Sequence, residues 1–158
     1  MHIILWRHAE AEPGFNDLAR RLTDKGRKQA RCSASWLKRH LPPGYRLWIS
    51  EAVRSRETAE YLRRADQVQP LINPEADPQR IAELLRVEHD SAALVLVGHQ
   101  PWIGQLCAWL LNDGQWQPHS YWSVKKSAFW WFEVHFDTEG RPSAKLKGAL
   151  PPAWLADE

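Results

Sequence analysis

Two histidines and two arginines stand where strand-like runs end. Arg7 and His8 follow the apolar run Ile3-Ile4-Leu5-Trp6, His99 closes Val95-Leu96-Val97-Gly98 far along the chain, and Arg54 lies just past Arg46-Leu47-Trp48-Ile49. A guanidinium fork donates two parallel hydrogen bonds to a phosphate dianion, and a neutral imidazole nitrogen can attack phosphorus in line. The four residues together therefore read as a phosphoryl-transfer site. His8 would be the nucleophile that becomes phosphorylated, Arg7 and Arg54 would bind the nonbridging oxygens, and His99 would donate to one of them in a loose transition state. Such chemistry calls for no metal and no cofactor. The chain carries no His-x-x-x-His pair, no carboxylate cluster at calcium spacing, no Walker loop and no Gly-x-Ser-x-Gly elbow.

Side chains so distant in sequence meet only if the strands that end in them are neighbours. In open α/β sheets ligands bind at the carboxyl ends of the strands, which is where these residues fall. Strands and helices do alternate here. Ile3 to Trp6 reads as a buried strand, and Glu10 to Arg21 as a polar loop with Pro13 and Gly14 that frames the site. Thr23 caps a helix carrying Ala30, Ala34, Leu37 and Leu41, which Pro42-Pro43-Gly44 stops. Arg46 to Ile49 is the second strand, followed by a helix with Ala59, Leu62 and Ala65 on one face and Arg54 on its first turn. Val68 to Ile72 reads as a short strand, Pro78 opens a helix with Ile81, Leu84 and Leu85 inward, and Ala93 to Val97 is a buried strand. Pro101 starts the helix Ile103 to Leu111, which Asn112-Asp113-Gly114 ends. Lys125-Lys126-Ser127 reads as a loop before the hairpin, with a place near the phosphate entrance as the alternative. Ala128 to Phe136 and Ala144 to Leu150 then form an antiparallel hairpin appended to the sheet.

With 158 residues, 44% hydrophobic and 25% charged, the chain fits one domain spanning residues 1–158. A net charge of +2 is too balanced to imply nucleic-acid or anionic-membrane binding by bulk charge. Cys32 and Cys107 have no metal-like spacing and fit reduced, buried thiols. No stretch approaches the roughly 20 apolar residues of a membrane span, and Met1 to Trp6 lacks the pattern of a targeting peptide. The expectation is a cytoplasmic protein, and without a coiled-coil heptad, a monomer. His2, His40, His89, His119 and His135 have no strand-exit context and read as ordinary side chains. Of the other arginines, Arg20, Arg56, Arg63 and Arg64 read as solvated faces, with a place on the pocket rim the alternative for Arg20 or Arg56.

Four stretches resemble one family. Leu5-Trp6-Arg7-His8-Ala9 resembles the Arg-His-Gly signature of the histidine phosphatase superfamily, and Asp17 to Gly26 resembles its Arg-Pro-Leu-Thr-x-x-Gly segment. Ser50-Glu51-Ala52-Val53-Arg54-Ser55-Arg56-Glu57-Thr58 resembles Ser-Pro-x-x-Arg-Ala-x-x-Thr, and Val97-Gly98-His99-Gln100-Pro101 resembles the Gly-His-x-Pro turn. Their order and the compact length look most like the SixA-type phosphohistidine phosphatases, small bacterial members of that superfamily. Ala9, Arg21 and Glu51 replace a glycine and two prolines of the usual pattern. The resemblance implies a three-layer αβα sandwich with a mostly parallel sheet, a histidine-phosphorylated protein of a phosphorelay or phosphotransferase chain as substrate, and phosphate binding by Arg7, Arg54 and His99; Arg20 is a further phosphate-binding candidate at the rim.

Larger superfamily members draw a general acid from the segment that here reads Leu71-Ile72-Asn73-Pro74-Glu75-Ala76-Asp77-Pro78, which makes Glu75 or Asp77 the candidate. An alkoxide leaving group needs that proton, whereas a phosphorylated imidazole protonated on its far nitrogen departs as neutral imidazole unaided. A site without an acid is thus biased toward P–N bonds. The short loop after His8 suggests a pocket open to a protein-borne phosphohistidine. Two other readings stand beside this one: a phosphomonoesterase or mutase acting on a small phosphorylated metabolite, and a noncatalytic phosphate or single-stranded nucleic-acid binding module, against which the charge balance argues. Ten tryptophans remain the compositional oddity. Core packing accounts for most of them, and any of Trp102, Trp109, Trp116 and Trp122 that stays exposed would mark a docking patch.

Overall fold

The structure, a computed structural model, describes residues 1–88 and 92–156. His89 lies outside the described residues. Six strands form one sheet in the order β3-β2-β4-β1-β5-β6, where β1 is His2–Arg7, β2 Arg46–Ile49, β3 Gln67–Val68, β4 Ala93–Gly98, β5 Phe129–Phe136 and β6 Pro142–Leu150. β1, β2, β3 and β4 run parallel, and β5 joins β1 antiparallel before turning into β6. The helices are α1 (Asp24–His40), α2 (Val53–Glu60), α3 (Pro78–Val87) and α4 (Trp102–Leu111).

Strand side chains alternate between faces, so the buried strands need apolar residues at every position. Ile3 and Leu5 of β1, with Leu94 and Leu96 of β4, pack under Ile81 and Leu85 of α3 and Ile103 and Leu106 of α4. Ile4 and Trp6, with Val95 and Val97, pack under Ala34 and Leu37 of α1, Ala59 of α2 and Leu62 of the turn after it. Helices thus cover both faces, giving the αβα sandwich. Each fully buried Leu or Ile contributes about 1.5–3 kcal/mol, so these two layers are the main stabilising term. β5 is apolar on both faces at its start because Phe132 and Val134 join the first layer and Phe129 the second. Toward its exposed end Glu133 and His135 meet solvent.

Two of the four helices, α1 and α3, start with a side-chain cap. Thr23 Oγ1 accepts from Gly26 N at 2.9 Å, and Asp77 Oδ1 accepts from Gln79 N at 2.9 Å just before Pro78. Gly114 takes φ +78° past the end of α4, and its N–H returns to the Trp109 carbonyl at 2.9 Å. Three boundaries differ from expectation. Val68 to Ile72 is not one strand, because Pro70 has no N–H for the ladder and the chain turns into a 3-10 segment, Pro70–Ile72, that buries Ile72. α2 ends at Glu60 rather than running to Ala65, although Leu62 is still buried by the turn that follows. β6 begins at Pro142, which an edge strand tolerates. Among the described residues, no helix is long and apolar enough to cross a membrane.

Gly98 links this packing to the site. Its carbonyl accepts from His8 N at 3.0 Å, and a Cβ there would run into the indole of Trp102, which is fully buried and donates Nε1 to the Asn73 carbonyl at 3.1 Å. Gly98→Ala should overpack this contact and cost roughly 1–3 kcal/mol, read as a lower urea midpoint. An unchanged midpoint would contradict the tight Gly98–Trp102 contact.

Candidate active site

Register decides which strand exits meet. Arg7 of β1 pairs with Gly98 of β4, and Ile49 of β2 pairs with Val97, so His8, His99 and Ser50 emerge side by side. The rings of His8 and His99 have centroids 5.1 Å apart, with planes inclined by 47°. Arg54, on the first turn of α2, is only 4% exposed. The short turn Asp17–Ala19 reaches it from the loop after β1: Arg54 Nη1 donates to the Asp17 carbonyl at 2.6 Å and Nη2 to Asp17 Oδ2 at 3.1 Å. Arg20 donates Nη1 to Asp17 Oδ1 at 3.1 Å and Nε to the Glu12 carbonyl at 2.7 Å. Arg7 is held by the Val124 carbonyl, 2.8 Å from Nη1.

The immediate supports of these groups are backbone and hydroxyl contacts. Thr58 Oγ1 accepts from Ala9 N at 3.0 Å and donates to the Arg54 carbonyl at 2.7 Å, tying the His8 turn to α2. Ser127 N donates to the His8 carbonyl at 3.1 Å, so the Lys125-Lys126-Ser127 loop abuts the Arg7–His8 turn. The loop after β1 is closed by a bridge between Ala11 and Leu22.

His8 is 7% exposed, and its Nδ1 lies 2.7 Å from the Ala9 carbonyl. A carbonyl only accepts, so Nδ1 carries the proton and Nε2 keeps its lone pair. Burial pushes the His8 pKa down to about 3; the Ala9 hydrogen bond opposes this, and the charges of Arg54, Arg7 and Arg20 add to it. His99 is lowered to about 2, first by burial, then by His8 and the same three arginines. Its Nε2 is 2.7 Å from Ser50 Oγ. Asp17 supplies the countercharge. Desolvation is the largest single influence and raises its carboxyl, but the hydrogen bonds and charges of Arg20 and Arg54 together outweigh it and hold the group below the usual carboxylate range. Arg7 Nε, Arg54 Nε and His99 Nδ1 are buried without a partner among the described residues. Three such nitrogens on the arginines and histidine of this cluster, beside a neutral imidazole with a free lone pair, suit a polyatomic anion.

The other sequence candidates separate clearly. Arg20 joins the cluster through Asp17. Arg56 does not: it lies on the outer face of α2 and pairs with Glu60 at 3.3 Å. Glu75 and Asp77 line a groove of about 600 Å³ whose other wall carries Asp17 and Leu18, and Asp77 also caps α3. Neither carboxylate hydrogen-bonds to His8, His99 or Arg54. His2 accepts from Trp131 Nε1 and His40 stacks on Trp36, both away from the site. Of the tryptophans near His99, Trp102 and Trp109 are buried, and Trp122 is half exposed. Asp17, Ser50 and Thr58 are the contributors that sequence reasoning left unassigned. All three lie inside the motif stretches, which was the available signal; the Val124 carbonyl had none.

Both imidazoles stay neutral at pH values that protonate the histidines of an unfolded chain. Between about pH 6.5 and pH 3 the unfolded chain binds more protons at His8, so stability falls as pH falls through that window. The urea midpoint should therefore drop on acidification below neutrality, and His8→Asn, which removes one of the two depressed rings, should make the dependence shallower and leave the part due to His99. The same pH slope in both proteins would contradict a buried, neutral His8.

A model of the histidine phosphatase superfamily (branch 1) matches residues 3–77. The phosphohistidine phosphatase SixA homolog of Haemophilus influenzae is 30% identical over 147 residues, covering 83% of this chain and 88% of that protein. The fold matches that of the protein histidine phosphatase SixA complexed with tungstate, with TM-score 0.79 and 24% identity over 98% of this chain and 99% of the other. A SixA structure from Nakamurella multipartitia, described as a phosphohistidine phosphatase, matches with TM-score 0.74 and 23% identity over 95% of each chain. The chain belongs to the histidine phosphatase superfamily, as a SixA-type phosphatase.

Proposed function

We propose that this phosphatase hydrolyses phosphohistidine on proteins through a covalent phosphohistidine formed at His8. The observation that carries the reading is the His8 ring itself: Nδ1–H is committed to the Ala9 carbonyl, and Nε2 is left as a lone pair among arginine and histidine donors. In the first step Nε2 bonds to phosphorus as the substrate's N–P bond breaks. The leaving imidazole, protonated on its far nitrogen, takes the bonding electron pair and departs neutral. His8 becomes a phosphoimidazolium whose Nδ1–H still donates to Ala9. Water then attacks phosphorus, the His8 N–P bond breaks, and phosphate leaves with the water's oxygen while its displaced proton passes to solvent. Arg7, Arg54 and His99 hold the nonbridging oxygens in both steps, and Arg20 adds charge from the rim.

Two features favour a P–N over a P–O bond. The carboxylate bonded to the arginine cluster, Asp17, is held ionised and has no proton to offer an alkoxide. The broken and formed bonds are also of one kind, so the first step is close to balanced. The groove lined by Leu18, Leu71 and Glu75 adjoins the site through Asp17, and its volume of about 600 Å³ offers a surface for residues flanking the phosphorylated side chain. A second reading, a metabolite phosphomonoesterase, is favoured by Glu75 on that same wall.

Brief exposure to a phosphohistidine protein should leave an acid-labile, base-stable phosphate on the enzyme, absent in His8→Ala. Arg54→Ala should lower kcat roughly 10²- to 10³-fold. A panel of phosphohistidine, phosphoserine and sugar phosphates should show turnover of the first far above the rest. Comparable turnover of sugar phosphates, lost in Glu75→Gln, would replace this reading with the second.

A further inference from the structure

Ser50 follows β2 as His99 follows β4, and it is 1% exposed. Its Oγ lies 2.7 Å from His99 Nε2 and accepts from Ala52 N at 3.2 Å. Its own N–H is taken by Ser55 Oγ at 3.0 Å, and Ser55 Oγ in turn donates to the Val97 carbonyl at 2.7 Å. The serine is therefore fixed on both sides, by α2 and by β4.

The hydrogens can be assigned by counting. A serine hydroxyl has one proton to give, and a neutral imidazole has one N–H and one lone pair. If His99 carried its proton on Nε2, it would donate to Ser50 Oγ. The buried Ser50 hydroxyl would then have no acceptor among the described residues, and Nδ1 would turn a bare lone pair toward a phosphoryl oxygen. Two polar groups would be left unsatisfied, each costly in a dry site. If Ser50 donates to Nε2 instead, its hydroxyl is satisfied, its oxygen still accepts from Ala52, and the unpartnered Nδ1 becomes an N–H donor.

We propose that Ser50 is a positioning residue: its hydroxyl donates to Nε2 of His99 and holds that imidazole with its proton on Nδ1, as a neutral hydrogen-bond donor to the transferring phosphoryl group. The assignment deepens the phosphoryl-transfer reading and rests on it for its purpose, but not for its test. His99 then neither abstracts a proton nor adds a full charge, and its contribution is a dipole fixed before substrate arrives. Hydrogen bonds that orient metal-ligating histidines are worth about 10- to 100-fold in activity, and the same scale is expected for Ser50 behind His99.

Nitrogen-15 NMR of the free, uniformly labelled enzyme reads the result directly, with the His99 signals identified by their loss in His99→Gln. The expected spectrum shows the proton on Nδ1 of His99 in the wild-type protein and in Ser50→Thr, which keeps the hydroxyl. In Ser50→Ala the Nε2–H form should appear, with kcat down about 10- to 100-fold and KM little changed. A proton on Nε2 in the wild type would overturn the proposal, as would a Ser50→Ala protein that loses activity with its His99 tautomer unaltered. If Ser50→Ala does not fold, the wild-type spectrum alone decides. Absence of phosphohistidine turnover would sink the function and leave this spectral outcome standing on its own.

Discussion

Three parallel strands, β2, β4 and β1, lie next to one another and stop at nearly the same level. Because Arg7 pairs with Gly98 and Ile49 with Val97, the first residues past each strand face the same space, and His8, His99 and Ser50 become neighbours. A slip of one residue in a parallel ladder would send each side chain to the opposite face. The alternating burial of Ile3 and Leu5 on one face and Ile4 and Trp6 on the other prevents that slip. Core packing and site geometry are therefore a single constraint, set by the same ladder.

On that frame the electrostatics follow from burial. Arg7, Arg20 and Arg54 surround two histidines that desolvation already keeps neutral, and each positive charge makes protonation harder. A nucleophile needs a lone pair, and this surrounding guarantees one across the physiological range. The cluster also needs a countercharge before an anion binds. Asp17 provides it from the turn Asp17–Ala19, outside the sheet. Its carboxylate and backbone carbonyl occupy the Arg54 fork that a phosphoryl group would otherwise use.

Much of this was legible from the chain because the site is built at strand ends, and strand ends are marked by a change from apolar to polar residues. Arg7, His8, Arg54 and His99 were singled out that way; the alternation of strands and helices gave the element order, and the family resemblance implied the layered architecture. Strand order was not legible: nothing in Ile3 to Trp6 or Ala93 to Val97 specifies that these two runs pair. Nor was the company each residue keeps. Arg20 and Arg56 look equivalent in sequence, yet one meets Asp17 and the other faces solvent beside Glu60. The Val68 to Ile72 run misled because its hydrophobicity is real, but Pro70 denies it a ladder and Ile72 is buried from a turn instead. Ser50 was visible as a motif position and silent about its role, since a hydroxyl's purpose depends on which lone pair it meets.

The account's central claim is that Arg7, Arg54 and His99 converge on one phosphoryl group seated on Nε2 of His8. A crystal structure with orthovanadate, a mimic of phosphorus in transfer, tests it most directly. The account predicts vanadium bonded to His8 Nε2, with equatorial oxygens within hydrogen-bond distance of Arg7, Arg54 and His99 Nδ1, and Asp17 displaced from the Arg54 fork. Vanadate bound elsewhere, or seated at the arginines with His8 Nε2 turned away from it, would contradict the claim.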